Sequence, residues 1–222
     1  MLKSSPPTHV RNVDGRPLRS HTSSPITHDA MPCHANGVSP LLQDDTLVRI
    51  SISTLSVLST HRQPVQTNQT VFSYPGTELL LTTGDGTVKI LDYPSMAPLY
   101  TIAAHTSSCY AIDLAPTNRY LAVGGSDALL TLWDTRDFVC QRSLDRMTGS
   151  VKSVGFSFDG NYVVGGADEG SGLDIAHVET GEYVYRVETG GPAPVVQWHP
   201  CRYVLAYGDL GGLKIVGAVG GL

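Results

Sequence analysis

A repeat of about 42 residues is the feature that most constrains what this chain of 222 residues can fold into. The stretch "DALLTLW", from Asp127 to Trp133, places an aspartate six positions before a large apolar anchor. Comparable stretches return along the chain, with anchors at Ile50, Leu91, Trp133, Ala176 and Val216, separated by 41, 42, 43 and 40 residues. Five units at so regular a spacing indicate a common structural unit.

Each unit is predicted to contain short β-strands separated by turn residues. Around Trp133 the pattern predicts strands at 109–115, 120–123, 129–133 and 138–144, bounded by Pro, Asn, Gly and Asp. Four strands in a period of 40–45 residues are typical of a propeller blade. We therefore expect an all-β fold, a WD40-type β-propeller of about four to five blades. The predicted units are a half-blade at 44–60 and blades at about 65–102, 105–144, 147–188 and 192–217.

Residues 1–40 differ in composition from the rest of the chain. They contain six prolines and four histidines, and their apolar residues follow no period. Such a segment buries too little apolar surface to offset the entropy of ordering it. We expect a disordered tail that offers no strand to complete the last blade. The blades therefore resemble the back part of a larger propeller, whose sheet edge and apolar blade face would favour aggregation or dependence on a partner.

A polar network is predicted around the central anchor. His105 lies 28 residues before Trp133. Asp127 lies six residues before Trp133, in the predicted turn between the second and third strands. We expect His105, Asp127, Trp133 and Asp134 to form a structural network, with an exposed loop histidine as the alternative for His105. The hydroxyl usual on the second strand falls at Val123, which predicts an incomplete network. The corresponding acids in the turns of the other units are Asp44, Asp85, Asp168 and Asp209.

The sequence offers no catalytic, cofactor-binding or metal site that we can assemble. The stretch "GFSFDG" at 155–160 is similar to a nucleophile elbow, but no helix follows it, and we interpret it as a turn. The glycine-rich segment at 165–172 lies between two strands and lacks the helix that would hold a phosphate. The histidines of the tail have no zinc-ligand spacing. We expect no catalytic residue, no cofactor, no metal and no small-molecule substrate.

Charge and hydropathy limit the classes of partner. No apolar run approaches the roughly 20 residues that span a bilayer, and we expect no membrane association. The formal net charge is −5 for the chain, +2 for residues 1–40, and −7 for the remainder. Direct contact with nucleic acid favours a basic face. We therefore expect RNA to be contacted only indirectly, through protein partners.

Several stretches resemble the WD40-repeat subunits of the THO complex. They are "GDGTVKILDYPSMAPLYTIAAHTSSCYAIDLAP", "RYLAVGGSDALLTLWD", "VKSVGFSFDGNYVV", "LDIAHVETGE" and "VVQWHP", and the resemblance covers about residues 41–217. It implies a non-catalytic scaffold in the nucleus, where the THO part of the transcription–export complex couples mRNP assembly to mRNA export. It also implies protein subunits of a THO-like complex as partners. The alternative is a generic WD40 adaptor in a ubiquitin ligase or a chromatin-associated complex.

Overall fold

The computed structural model describes residues 38–43, 45–51 and 53–217, which form 18 strands in five antiparallel sheets. The strands follow one another across each sheet in chain order. Sheet 1 contains β1 (Val38–Gln43), β2 (Thr46–Ser51) and β3 (Val57–Arg62). Sheet 2 contains β4 (Thr67–Phe72), β5 (Glu78–Thr83), β6 (Thr87–Asp92) and β7 (Pro98–Ala103). Sheet 3 contains β8 (Cys109–Leu114), β9 (Tyr120–Gly125), β10 (Leu130–Asp134) and β11 (Cys140–Leu144). Sheet 4 contains β12 (Val151–Phe156), β13 (Tyr162–Ala167), β14 (Leu173–His177) and β15 (Tyr183–Val187), and sheet 5 contains β16 (Val195–Trp198), β17 (Val204–Asp209) and β18 (Gly212–Gly217).

Tight turns before the anchor strands explain why each unit folds back on itself. The residue five positions before the anchor has a left-handed backbone in the first three sheets, with φ of 60° at Asp45, 86° at Gly86 and 63° at Ala128. A two-residue hairpin needs such positive φ values, because they match the twist of the flanking strands. The repeated aspartate and glycine residues therefore define the hairpins locally.

The core consists of four apolar junctions between successive sheets. Alternation along a strand sends the anchor to one face and the residue three positions earlier to the other. Leu130 of sheet 3 thus packs with Ala176 of sheet 4, whereas Trp133 packs with Val88 of sheet 2. The same pairing joins Leu173 of sheet 4 to Val216 of sheet 5, and Leu47 of sheet 1 to Leu91 of sheet 2.

The first sheet differs from the predicted half-blade at 44–60. It has three strands, and β1 begins at Val38, inside the segment predicted as the tail. The turn at Asp45 brings β1 onto β2, with Gln43 opposite Thr46. Pro40 is compatible with this strand because β1 lies at the edge of its sheet, where a missing N–H need not break a ladder. The rest of the predicted tail lies outside the described residues.

The last sheet ends on its third strand, β18, in the described part of the chain. The turn after the third strand in sheets 2 to 4 leads instead to a fourth strand on the outside of the sheet. No helix within the described ranges has the length and hydropathy needed to cross a bilayer. The described fold is therefore all-β, with sheets 1 and 5 at its two ends.

Candidate functional site

Four side chains around the central anchor form one chain of hydrogen bonds. His105 Nδ1 lies 2.9 Å from Asp127 Oδ1, and His105 Nε2 lies 3.0 Å from Thr131 Oγ1. Trp133 Nε1 donates to Thr131 Oγ1 at 2.9 Å. Since a carboxylate only accepts, the imidazole donates from Nδ1 to Asp127. Its Nε2 faces both the Thr131 hydroxyl and the Val123 carbonyl oxygen, which lies 3.3 Å away. Each polar side-chain group of this network thereby has a hydrogen-bond partner.

This network joins three separate segments of sheet 3. His105 belongs to the loop before β8, Asp127 to the β9–β10 turn, and Thr131 and Trp133 to β10. The His105 side chain is fully buried. Gly125 leaves the space that the network needs, because a Cβ there would lie 2.5 Å from His105 Nδ1. The arrangement fixes the loop to the sheet through a buried imidazole.

The hydroxyl of this network was missed by the sequence analysis. The pattern placed the hydroxyl position at Val123 and predicted an incomplete network, but Thr131 provides the group from the third strand. Thr131 lies directly opposite Val123 in the β9–β10 register. Side chains of such pairs are about 5 Å apart, so either position reaches the histidine. The register of β9 and β10 was the signal that could have identified Thr131.

Asp134, the second residue of the Trp-Asp pair, is bound by a neighbouring cation. Arg136 donates from its backbone N at 2.9 Å and from Nη2 at 2.8 Å to the Asp134 carboxylate. The Arg136 hydrogen bonds hold the pKa of Asp134 down to about 2. Asp134 therefore stabilises the turn after β10 and makes no bond to His105 among the described contacts.

The turn acids of the other units have different partners. Asp85 accepts from Thr83 Oγ1 at 2.5 Å, and this bond, with those from Thr87, lowers the pKa of Asp85. Asp168 pairs with Lys152 at 3.3 Å, and Asp209 accepts from the backbone N of Gly211 at 2.8 Å. Asp44 lies outside the described residues. None of these described acids meets a histidine, so the His105 network belongs to sheet 3.

Hydrogen bonds between neighbouring sheets recur at one separation. A side chain on the first strand of a four-stranded sheet accepts from a backbone N–H on the first strand of the next sheet, 43 residues later. The three pairs are Gln69 Oε1 with Ile112 N (3.1 Å), Asp113 Oδ2 with Phe156 N (3.0 Å) and Ser153 Oγ with Val196 N (3.0 Å). Burial raises the pKa of Asp113 to about 6, although two backbone N–H groups act in the opposite direction. These bonds align successive sheets.

The motifs that were compared with catalytic sites have structural partners. Ser157 Oγ donates to Asp159 Oδ1 at 2.7 Å, and Gly160 follows with a φ of 74°, so this segment forms a turn after β12. Burial raises the pKa of the Cys109 thiol to about 12, which keeps it protonated. Within the described ranges, His, Cys, Asp and Glu side chains form no group of three or more that could hold a metal ion.

Comparisons with known proteins agree with this architecture. The family model "WD domain, G-beta repeat" matches residues 96–134 and 138–171. The β-propeller domain of Cps50 (Swd1) from Myceliophteria thermophila superposes with a TM-score of 0.70 at 20% identity, covering 81% of this chain and 65% of that chain. The described sheets and the two matched segments thus show a WD40-type β-propeller fold, as the sequence predicted.

Three curated proteins are similar to part of this chain. The chain is 36% identical over 165 residues to THO complex subunit 3 of Arabidopsis thaliana, which covers 74% of this chain and 52% of that protein. It is 29% identical to WD repeat-containing protein AAC3 of Dictyostelium discoideum (74% and 35%) and 32% identical to human angio-associated migratory cell protein (58% and 29%). The predicted resemblance to a THO subunit is confirmed. The chain spans about half the length of that relative and a smaller share of the other two.

Proposed function

We propose that this chain is a non-catalytic scaffold subunit of a THO-like complex, acting in the nucleus in mRNP assembly and mRNA export. The observation that carries the proposal is the similarity to THO complex subunit 3, which extends over 74% of this chain. That stretch is longer than the two segments matched by the general repeat model. Rigid sheets that present loops and outer strands suit the docking of protein subunits.

The surface supports contact with proteins more than contact with RNA. The outer strands β7 and β15 expose large apolar side chains, namely Leu99, Tyr100, Val184 and Tyr185. Five cations of the described surface pair with carboxylates, in the ion pairs Arg119–Glu179, Arg136–Asp134, Arg146–Asp174, Lys152–Asp168, Arg186–Asp174 and Arg186–Glu188. A cation that is already paired contributes less to phosphate binding. We therefore propose that any RNA association passes through partner subunits.

Affinity purification with quantitative mass spectrometry tests this function. The tagged chain is purified from nuclear extract of its source species, with and without ribonuclease. We expect THO subunits to be recovered in both preparations, because protein contacts do not need RNA. Trp133→Ala, which weakens the fold, should lower that recovery, while Trp133→Phe should retain most of it. Loss of THO subunits after ribonuclease treatment, or their absence throughout, would contradict the proposal.

A generic WD40 adaptor is the second candidate. The similarity to WD repeat-containing protein AAC3 shows that much of the sequence is shared with a WD-repeat protein other than a THO subunit. The same purification separates the two functions. Cullin subunits or histone-modifying enzymes in place of THO subunits would favour the adaptor.

A further inference from the structure

The outer strand of sheet 2, β7, is a free sheet edge without charged side chains. It pairs with β6 on one side, and no strand pairs with its other side in the described part of the chain. The segment from residue 93 to residue 104 contains no charged residue. Leu99 and Tyr100 are 54% and 52% exposed. A free edge is a template for another strand, and proteins commonly protect it with charges.

The outer strands of the next two sheets have this protection. β11 contains Arg142 and β15 contains Arg186. Arg142 is equivalent to Tyr100 of β7, because each lies opposite the residue that precedes its anchor. Arg142 Nη2 donates to the carbonyl oxygen of Glu179 at 2.7 Å, and Arg186 Nη1 pairs with Asp174 at 2.6 Å. Among the outer strands of the three four-stranded sheets, β7 alone lacks a charge.

The backbone of β7 presents hydrogen-bonding groups to this free edge. The N–H of Ala104 donates to the carbonyl oxygen of Gly86 at 3.1 Å, and these two residues continue the β6–β7 pairing by one position. In an antiparallel pair, hydrogen-bonded positions alternate with positions whose N–H and C=O groups point away from the partner strand. By this alternation the N–H and C=O groups of Thr101 and Ala103 point away from β6. An added strand would bond to these groups.

The side chains beside the edge are apolar. The Tyr100 ring stacks on Phe138 of sheet 3, with ring centroids 5.3 Å apart and an interplanar angle of 20°. Val139, next to Phe138, is 51% exposed. A strand added beside β7 would place a side chain next to Tyr100, where aromatic and β-branched residues make favourable cross-strand pairs. The edge therefore fits an apolar extended segment.

Acidic side chains lie at both ends of β7. Asp85 accepts from Thr87 Oγ1 at 2.9 Å, and Thr87 begins β6 beside the end of β7. Asp92 ends β6 beside the start of β7, and Asp137 precedes the Phe138 ring. Among the described contacts, none of these three carboxylates belongs to an ion pair. Cations at the two ends of an added segment would therefore meet complementary charges.

We propose that β7 binds an extended segment of a partner protein as a fifth strand of sheet 2, and that this segment has an apolar centre flanked by Lys or Arg residues. Main-chain bonds to Thr101 and Ala103 hold the segment, and Lys89, opposite Thr101 in the register, disfavours a cation at its centre. A second copy of this chain fits the edge poorly, because pairing of two β7 strands brings the acids of one copy against those of the other. The inference rests on the protein-docking role proposed above, but not on the identity of the complex.

Binding of a synthetic peptide to the full chain tests the charge of the partner. The probe is a capped, fluorescein-labelled peptide with two lysines on each side of Val-Thr-Val-Tyr-Val, and fluorescence anisotropy measures its Kd. We expect binding that weakens at high salt, because salt screens exposed charges. The same peptide with glutamates in place of the lysines should bind at least about 10-fold more weakly. Equal affinity of the two peptides, or no binding of the lysine peptide, overturns the proposal.

Thr101→Pro tests the edge itself. It removes an N–H that points away from β6, so it is compatible with the pairing of β6 and β7 and blocks an added strand. The Kd of the lysine peptide should rise at least about 10-fold, because main-chain bonds give such complexes their affinity. Ser143→Pro is the matched control, since Ser143 lies opposite Thr131 in sheet 3 as Thr101 lies opposite Lys89 in sheet 2. It should bind the peptide like the unmodified chain, and so should Thr101→Val, which keeps the N–H.

Several outcomes contradict the edge site. Unchanged binding by Thr101→Pro, or an equal loss in Ser143→Pro, shows that the peptide binds elsewhere. A dimer of the unmodified chain that Thr101→Pro abolishes shows that a second copy fills the edge instead. Circular dichroism establishes that each variant is folded, and Thr101→Lys, which puts a charge on the edge, replaces Thr101→Pro if proline unfolds the chain. The peptide assay needs no THO subunit, so it can fail while the purification above still recovers THO subunits, and the reverse also holds.

Discussion

At the scale of single residues, the network around Trp133 stabilises sheet 3 by two separable contributions. The indole ring packs with the apolar side chains between sheets 2 and 3, and its N–H donates to Thr131. Ring packing is worth more than one hydrogen bond, because the net contribution of a hydrogen bond is about 1 kcal/mol. The two contributions can be distinguished by choosing which part of the side chain to remove.

We expect Trp133→Ala to lower the free energy of unfolding by about 3–5 kcal/mol, the cost of truncating a large packed aromatic side chain. Trp133→Phe keeps a ring and loses the N–H, so its cost should be about 1–2 kcal/mol. Urea denaturation followed by circular dichroism measures both. A loss below about 1 kcal/mol for Trp133→Ala would contradict the packing assigned to this anchor.

Asp113 makes the stability of the fold dependent on pH. Burial raises the pKa of Asp113 in the folded chain to about 6, above its ordinary value of 3.8. A raised carboxyl pKa means that the folded state prefers the protonated form. The contribution is therefore fully present below about pH 4 and is lost as the pH rises through 6, by up to roughly 3 kcal/mol, since one pKa unit corresponds to about 1.4 kcal/mol.

Replacing Asp113 by Asn should remove this dependence. We expect unmodified protein to lose stability between about pH 4 and 6, and Asp113→Asn to show a flatter profile, because the amide has no charge to bury. Urea midpoints across that range measure the effect. Asp145→Asn is the control at an exposed carboxyl and should follow the unmodified chain. Equal slopes for Asp113→Asn and the unmodified chain would show that another group is responsible.

At the scale of elements, the approach of neighbouring sheets depends on small residues. A Cβ at Gly166 of β13 would lie 2.6 Å from the carbonyl oxygen of Ala193 and 2.7 Å from Ser153 Oγ. Ser153 is also the acceptor that binds Val196 N of sheet 5. A side chain at Gly166 would therefore press on both the backbone and a hydrogen bond of the sheet 4–sheet 5 junction.

We expect Gly166→Ala to lower the free energy of unfolding by about 1–3 kcal/mol, the usual cost of overpacking a close contact. Gly208→Ala is the matched control, because a Cβ at Gly208 of β17 meets nothing within 4 Å. Thermal melts of both variants at a low protein concentration measure the difference without self-association. Equal melting temperatures for the two variants would contradict the close approach at Gly166.

The strand β1 shows which elements the sequence could predict. The three four-stranded sheets were predicted because Gly, Asn, Asp and Pro mark their turns and apolar residues alternate between them. β1 was missed because Pro40 and the polar residues around it resemble the tail. Its pairing with β2 depends on the hairpin at Asp45. Pairing with a neighbouring strand stabilises such a segment more than the β-propensity of its own residues does.

At the scale of the whole molecule, the sheets form a linear series in which each contacts its neighbours. In such a series the terminal units lack one of the two interfaces that stabilise the inner units. Sheet 3 is packed on both sides, by sheet 2 and by sheet 4. β18 in contrast is exposed at most of its positions. Local stability should therefore decrease from the centre toward the ends.

We expect backbone amides of β18 to exchange with solvent much faster than those of β9, by at least 100-fold at low protein concentration. Exchange measures the free energy of local opening, which is smallest where few apolar contacts hold a strand. Hydrogen–deuterium exchange with mass spectrometry measures peptides from both strands in one experiment. If β9 and β18 exchanged at the same rate, the molecule would unfold as a single unit.

The sequence by itself determined the repeat, the class of fold and the positions of His105, Asp127 and Trp133. These follow from local signals, because turn residues and alternation act within one hairpin. Only the tertiary structure decided that Thr131 provides the hydroxyl, since Val123 and Thr131 become equivalent once β9 and β10 are paired in register. It also decided that Leu213 and Ile215 are exposed although their pattern is that of core residues. Burial depends on whether another sheet covers a face, and no residue of β18 carries that information.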